Sequence, residues 1–224
     1  MVFVSSNADL QRESAAAALA AAESGSINAQ ELDGSAERIL RAKERWIHPA
    51  EPESAGRAED FAAAARMARE AVTAVRGKAC RASEKTFFCG CADYRMTQAS
   101  NADPEAKAFP EYMGARFGAK FAGCSKDPDE KEIADLVKCA DEAENIIFSS
   151  CNAHLFRGQL ALAAALAEKG VPMTVAALRN PYDLPLMPEN AALLAAFDYS
   201  RDSLAALADV FSGGDCCGVM PAAL

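Results

Sequence analysis

Residues 145–183 constrain the fold of this chain more tightly than any other part of it. They read NIIFSS, then CNAHLFRGQLALAAALAEKG, then VPMTVAALRNPYD, so two short apolar runs flank a stretch of helical length. Within that stretch Leu160, Ala163, Ala164 and Leu166 give the helix its apolar residues. A strand–helix–strand unit of about 30 residues, closed by a right-handed crossover, makes its two strands parallel neighbours in one sheet. Gly170 stands where a helix commonly ends, and Pro172 just beyond it prevents the helix from continuing.

The rest of the chain extends this pattern. Residues 1–4 are an apolar run too short for a sheet of its own. A helix is expected over residues 10–23, capped by Asn7 or Asp9 and ended by Gly25. Asn28 and Glu31 have capping-box spacing ahead of a second helix that places Ile39 and Leu40 on its buried side. Residues 47–56 hold two prolines and read as a linker. The next helix is expected over residues 59–76, with Phe61, Ala65, Ala68, Val72 and Val75 on one face and Gly77 closing it. Strands are expected at 85–90 and 119–122, a helix near 107–117, and a long polar loop over 91–110. Asp127 can cap a further helix with Pro128 in its first position, and Ile133, Leu136, Val137 and Ala140 form the stripe that faces the sheet. A strand at 193–198, a helix at 201–210 and a terminal strand in MPAAL complete the series. Strands alternating with helices give an α/β fold, a mostly parallel sheet sandwiched by helices. The expected division is residues 1–47, a linker at 48–58, and the α/β domain at 59–224.

Charge and composition remove several classes of function. A net charge of −9 argues against nucleic acid or an anionic membrane surface as partner. No apolar run approaches the ~20 residues of a membrane span. The opening MVFVSSNADL lacks the basic and apolar regions of a secretory signal. The eight cysteines lack the paired spacing of a zinc site. Cys89 and Cys151 fall on or beside strands and Cys139 on a helix, where free thiols behave as small hydrophobes. That usage suits a reducing compartment, so a cytoplasmic location is expected, with no metal and no cofactor. No glycine-rich phosphate loop and no nucleophile elbow follows any expected strand. His48 reads as a solvated linker residue, and Asp9 and Asp33 as helix-terminal acids.

Ligands of open α/β sheets collect outside the carboxyl ends of the strands. Two loops of the central unit end there, so Asn152, His154, Arg179, Tyr182 and Asp183 converge on one edge. A plainer reading of the same residues has Asn152 capping the coming helix, Arg179 pairing with Asp183, and His154 filling the loop.

At CNAHLFRGQLALAAAL, PMTVAALRNPYDL and AAFDYSRDSLAALADVFSG the chain resembles the C-terminal domain of family 3 glycoside hydrolases, most closely the β-N-acetylhexosaminidase branch. The earlier MVFVSSN, ESGSIN and LDGSAERILRAKERW resemble the last strand and closing helices of that family's (β/α) barrel, ahead of its linker. The resemblance weakens over residues 91–124 and at SGGDCCGVMP. It implies that the catalytic aspartate and the Asp–His acid/base dyad belong to barrel loops with no counterpart here, so no catalytic residue carries over. Retaining hydrolysis needs two groups flanking the scissile bond. The chain alone is therefore expected to be silent, with the barrel as its partner and carbohydrate reached through it. The orphaned apolar faces of residues 1–47 are expected to drive dimerisation, folding back or fraying. The other reading is a stand-alone module that binds a sugar or small metabolite at the same edge. The reading frame upstream of Met1 distinguishes the two.

Overall fold

The structure is a computed structural model that describes residues 8–48, 56–92, 107–221 and 223. The apolar run 1–4, most of the linker and most of the expected 91–110 loop lie outside the described residues. The chain divides into two compact units, one holding residues 1–57 with 95–102 and the other residues 58–94 with 103–224.

The first unit contains α1 (Ala8–Glu23) and α2 (Ala29–Trp46). Asn28 caps α2, its side-chain oxygen accepting from Gln30 N at 2.9 Å. Neither helix buries a residue. Ile39 is half-buried and Leu40 stays exposed, so the apolar stripe of α2 is formed but uncovered.

The second unit is built on six strands: β1 (Thr73–Arg76), β2 (Thr86–Cys91), β3 (Lys120–Cys124), β4 (Asn145–Ser150), β5 (Met173–Ala177) and β6 (Ala192–Ala195). Their order across the sheet is β1-β6-β5-β4-β2-β3, and every pairing is parallel except β1 with β6. The fold is thus the expected α/β sandwich. Ile146 pairs with Met173 and Ser150 with Ala177, the neighbours implied by the strand–helix–strand unit.

Five helices cover the two faces: α3 (Ala58–Ala71), α4 (Phe109–Phe117), α5 (Glu130–Cys139), α6 (Arg157–Ala167) and α7 (Arg201–Phe211). Alternation along each strand divides the core in two. Phe87, Cys89, Ile146, Phe148 and Val175 pack with Leu136 of α5 and with Leu162 and Leu166 of α6. Phe88, Ile147, Ala176 and Leu194 pack with Phe109 and Met113 of α4 and with Leu204, Leu207 and Phe211 of α7. Both faces being covered explains why β2, β4 and β5 read as continuous apolar runs. Each fully buried Ile or Phe contributes roughly 1.5–3 kcal/mol over an exposed one. Gly90 is required in β2 by contact, because a Cβ there would stand 2.5 Å from Ser149 O on the neighbouring strand.

Three expectations are corrected. The helix expected over 59–76 stops at Ala71, and Thr73–Arg76 forms edge strand β1, antiparallel to β6. The β-branched Val72, Thr73 and Val75 favour that extended path, and Val72 is fully buried. Asp129 rather than Asp127 caps α5, its carboxylate accepting from Glu132 N at 2.8 Å. The terminal strand is absent among the described residues, where Gly218 N instead donates to Val72 O at 2.9 Å.

Candidate functional site

The strand order reverses direction at β2, since the chain moves outward to β3 and then returns to lay β4 on the other side. The carboxyl ends of β2, β4 and β5 therefore form the edge where such sheets hold ligands. The built polar cluster lies between β4 and β5.

After β4 the chain turns through Cys151, Asn152 and Ala153, all buried. Asn152 adopts a left-handed conformation, φ 55°, which asparagine tolerates better than most residues. Its carbonyl accepts from Leu155 N at 2.9 Å and Phe156 N at 3.1 Å. After β5 the chain passes Arg179 and Asn180 into a 3-10 segment, Pro181–Leu186. The Asn180 side-chain oxygen accepts from Tyr182 N at 3.2 Å, and its amide nitrogen donates to the Asn152 side-chain oxygen.

That turn and this segment meet at His154 and Asp183. Asp183 is fully buried, and its Oδ1 accepts from His154 N at 2.9 Å while lying 2.7 Å from His154 Nδ1. The other oxygen, Oδ2, is buried without a protein partner, as are Ser149 Oγ and Ser150 Oγ at the end of β4. The His154 side chain is 27% exposed, and the Tyr182 ring stands edge-on to it with centroids 6.2 Å apart. Tyr182 and Arg179 are exposed.

The five residues named from sequence are thus brought to one edge, with contacts unlike those of the plainer reading. Asn152 does not cap α6, whose start at Phe156 has no side-chain cap. Asp183 pairs with His154 rather than with Arg179. Arg179 acts instead on the Cys151 thiol through its charge. Burial pushes that thiol up to about 12, Cys91 adds to the rise, and Arg179 opposes it.

Two supporting residues carried no functional signal in sequence. Gln159 is fully buried on α6; its side-chain oxygen accepts from Cys151 N at 3.0 Å, and its nitrogen donates to Lys126 O at 2.8 Å and Cys151 O at 3.1 Å. Asp127 accepts from Gly158 N at 2.6 Å and so satisfies the start of α6 from outside that helix. Both hold the turn that presents His154. All eight cysteines are free, and among the described residues no group of three or more His, Cys, Asp or Glu is arranged to hold a metal. Among the same residues no helix is long and apolar enough to cross a membrane.

Chemically, the cluster is an imidazole held by a buried carboxylate beside an exposed phenol. It can orient a proton or a hydrogen bond at one position.

No protein-family model matches the chain, and no curated protein sequence does. Solved structures do match. A family 3 β-N-acetylglucosaminidase from Paenibacillus sp. str. FPU-7 superimposes with TM-score 0.64 at 24% identity, over 91% of this chain and 41% of that one. A fungal multi-domain family 3 β-N-acetylglucosaminidase, described with a glucosamine N-acetyltransferase region, gives 0.55 at 17%, over 91% and 24%. A β-glucosidase from Listeria innocua gives 0.60 at 13%, over 87% and 32%. The chain spans less than half the length of each. At these identities the likeness shows the fold: the mostly parallel α/β sandwich that the neighbouring glycoside hydrolases carry within a longer polypeptide.

Proposed function

We propose that this chain is the accessory α/β domain of a glycoside hydrolase of the β-N-acetylhexosaminidase kind, together with the closing helices of that enzyme's (β/α) barrel. Its division is residues 1–47 for the barrel end, 48–58 for the linker and 59–224 for the accessory domain. Cleavage of the glycosidic bond belongs to the barrel, which is the partner of this chain. The edge holding Asn152, His154, Arg179, Tyr182 and Asp183 faces that barrel and shapes the sugar cleft or braces a barrel loop.

The observation that supports this best is the extent of the structural likeness. A match over 91% of the chain is too large for the α/β unit to supply alone, so it reaches into the helical unit as well. The uncovered stripe of α2 is in keeping with helices that pack against more protein.

The test is an assay of the purified chain on a chromogenic N-acetylglucosaminide. The expected result is no turnover above the uncatalysed rate. Robust turnover that disappears in His154→Ala would overturn the proposal.

A further inference from the structure

The His154–Asp183 pair carries an inference about ligand chemistry that deepens the reading of this edge and rests on it for the choice of a saccharide. The 2.7 Å contact joins Nδ1 to a carboxylate oxygen, and an ionised carboxylate offers only acceptors, so with Asp183 ionised Nδ1 is the donor. The same oxygen accepts from the His154 main-chain N–H at 2.9 Å, so the carboxylate is held by the backbone of that residue as well as by its ring. No other described group bonds to the imidazole, and its remaining nitrogen, Nε2, belongs to a side chain 27% exposed. Edge-on to it stands the exposed Tyr182 ring, and Arg179 is exposed on the same loop. An aromatic face next to a few hydrogen-bonding groups suits a pyranose, with its apolar C–H face and hydroxyl rim.

We propose that Asp183 is a positioning residue that fixes His154 as the Nδ1–H tautomer, so that Nε2 accepts a hydrogen bond from a saccharide hydroxyl at this edge. Asn152 and Asn180 hold the two loops in register for the contact, and Gln159 anchors the β4 turn beneath it.

The sequence holds two histidines, so ¹⁵N–¹H correlation spectra of the labelled chain separate His154 from the linker residue His48, assigned with His154→Gln. Wild-type His154 should show a proton on Nδ1 and a bare Nε2. His48 serves as the reference imidazole within the same chain. N-acetylglucosamine should shift the His154 Nε2 resonance saturably and leave His48 unmoved. Asp183→Asn, with folding verified by circular dichroism, should return His154 to a His48-like spectrum and weaken the saccharide response about tenfold or more. A wild-type His154 spectrum like that of His48 overturns the positioning role, whatever the variant does. A fixed tautomer with no saturable response to N-acetylglucosamine overturns the saccharide. Neither outcome depends on the turnover assay, so failure here and failure of the accessory-domain reading remain distinguishable.

Discussion

Gln159→Leu tests how the β4 turn is held. The glutamine side chain is fully buried and makes three hydrogen bonds, to Cys151 N, Cys151 O and Lys126 O, at 3.0, 3.1 and 2.8 Å. Leucine fills similar space and satisfies none of them. A buried polar group that loses its partner costs about 1–3 kcal/mol. Cys151 N bears this in full, because an amide donor has one hydrogen to place. The two carbonyls bear less, because each has a second lone pair and Lys126 is only half-buried. The apolar gain from leucine offsets part of the loss. The net expectation is about 3 kcal/mol of lost stability, which for a domain of this size lowers Tm by about 6–12 °C. Urea unfolding followed by circular dichroism measures it, and an unchanged slope would show that the unfolded state is not the cause. Gln159→Glu is the companion variant. It keeps an acceptor for Cys151 N and turns carboxylate oxygen toward two carbonyls, so it should cost at least as much near neutral pH and recover on acidification as a donor returns. If Gln159→Leu stays within about 0.5 kcal/mol of wild type, these three bonds do not hold the turn and the reasoning fails.

Two further predictions concern packing and the thiols. At Gly158 a Cβ would lie 2.3 Å from Pro128 O and 2.7 Å from Pro128 N, so Gly158→Ala must displace the loop before α5 and should cost about 1–3 kcal/mol; a neutral effect in the same unfolding assay would show that the loop yields freely. Burial pushes the Cys89 and Cys151 thiols up to about 12 from an ordinary 9.0, so between those pH values the unfolded chain sheds protons that the folded chain keeps. Their contribution is complete below about pH 9 and is lost as pH rises toward about 12, so unfolding free energy should decline across that window and decline less in Cys89→Ala and Cys151→Ala. A pH-independent free energy there would contradict it. In the native chain at about pH 8 a disulfide reagent should modify the exposed Cys217 well before either buried thiol.

Most of the fold was legible because its signals are local. The central strand–helix–strand unit announces itself through two apolar runs, a helical stripe, Gly170 and Pro172, and a covered parallel sheet tolerates no other arrangement of such runs. The helix expected through Val72 and Val75 shows where local signals compete. An alanine-rich helical stripe runs straight into a β-branched cluster at the same spacing, and only pairing with β6 decides the outcome. Asp127 and Asp129 present the same ambiguity on a smaller scale. Both suit a cap, and the choice is made by Gly158, 31 residues from Asp127, whose N–H takes Asp127 as its acceptor.

The candidate site was legible as a location but not as a set of bonds. Parallel strands bring the loops after β4 and β5 together, so the sequence alone groups Asn152, His154, Arg179, Tyr182 and Asp183. Which of them touch depends on side-chain direction across a gap of 29 residues between His154 and Asp183. The left-handed turn at Asn152 swings His154 toward the 3-10 segment, and the Asx turn at Asn180 sets the start of the segment that carries Asp183. Arg179, one residue too early for that turn, is left on the surface. A substitution that straightened either turn would therefore separate the pair without touching its members, because the bond between His154 and Asp183 is a product of two backbone turns rather than of the two side chains alone.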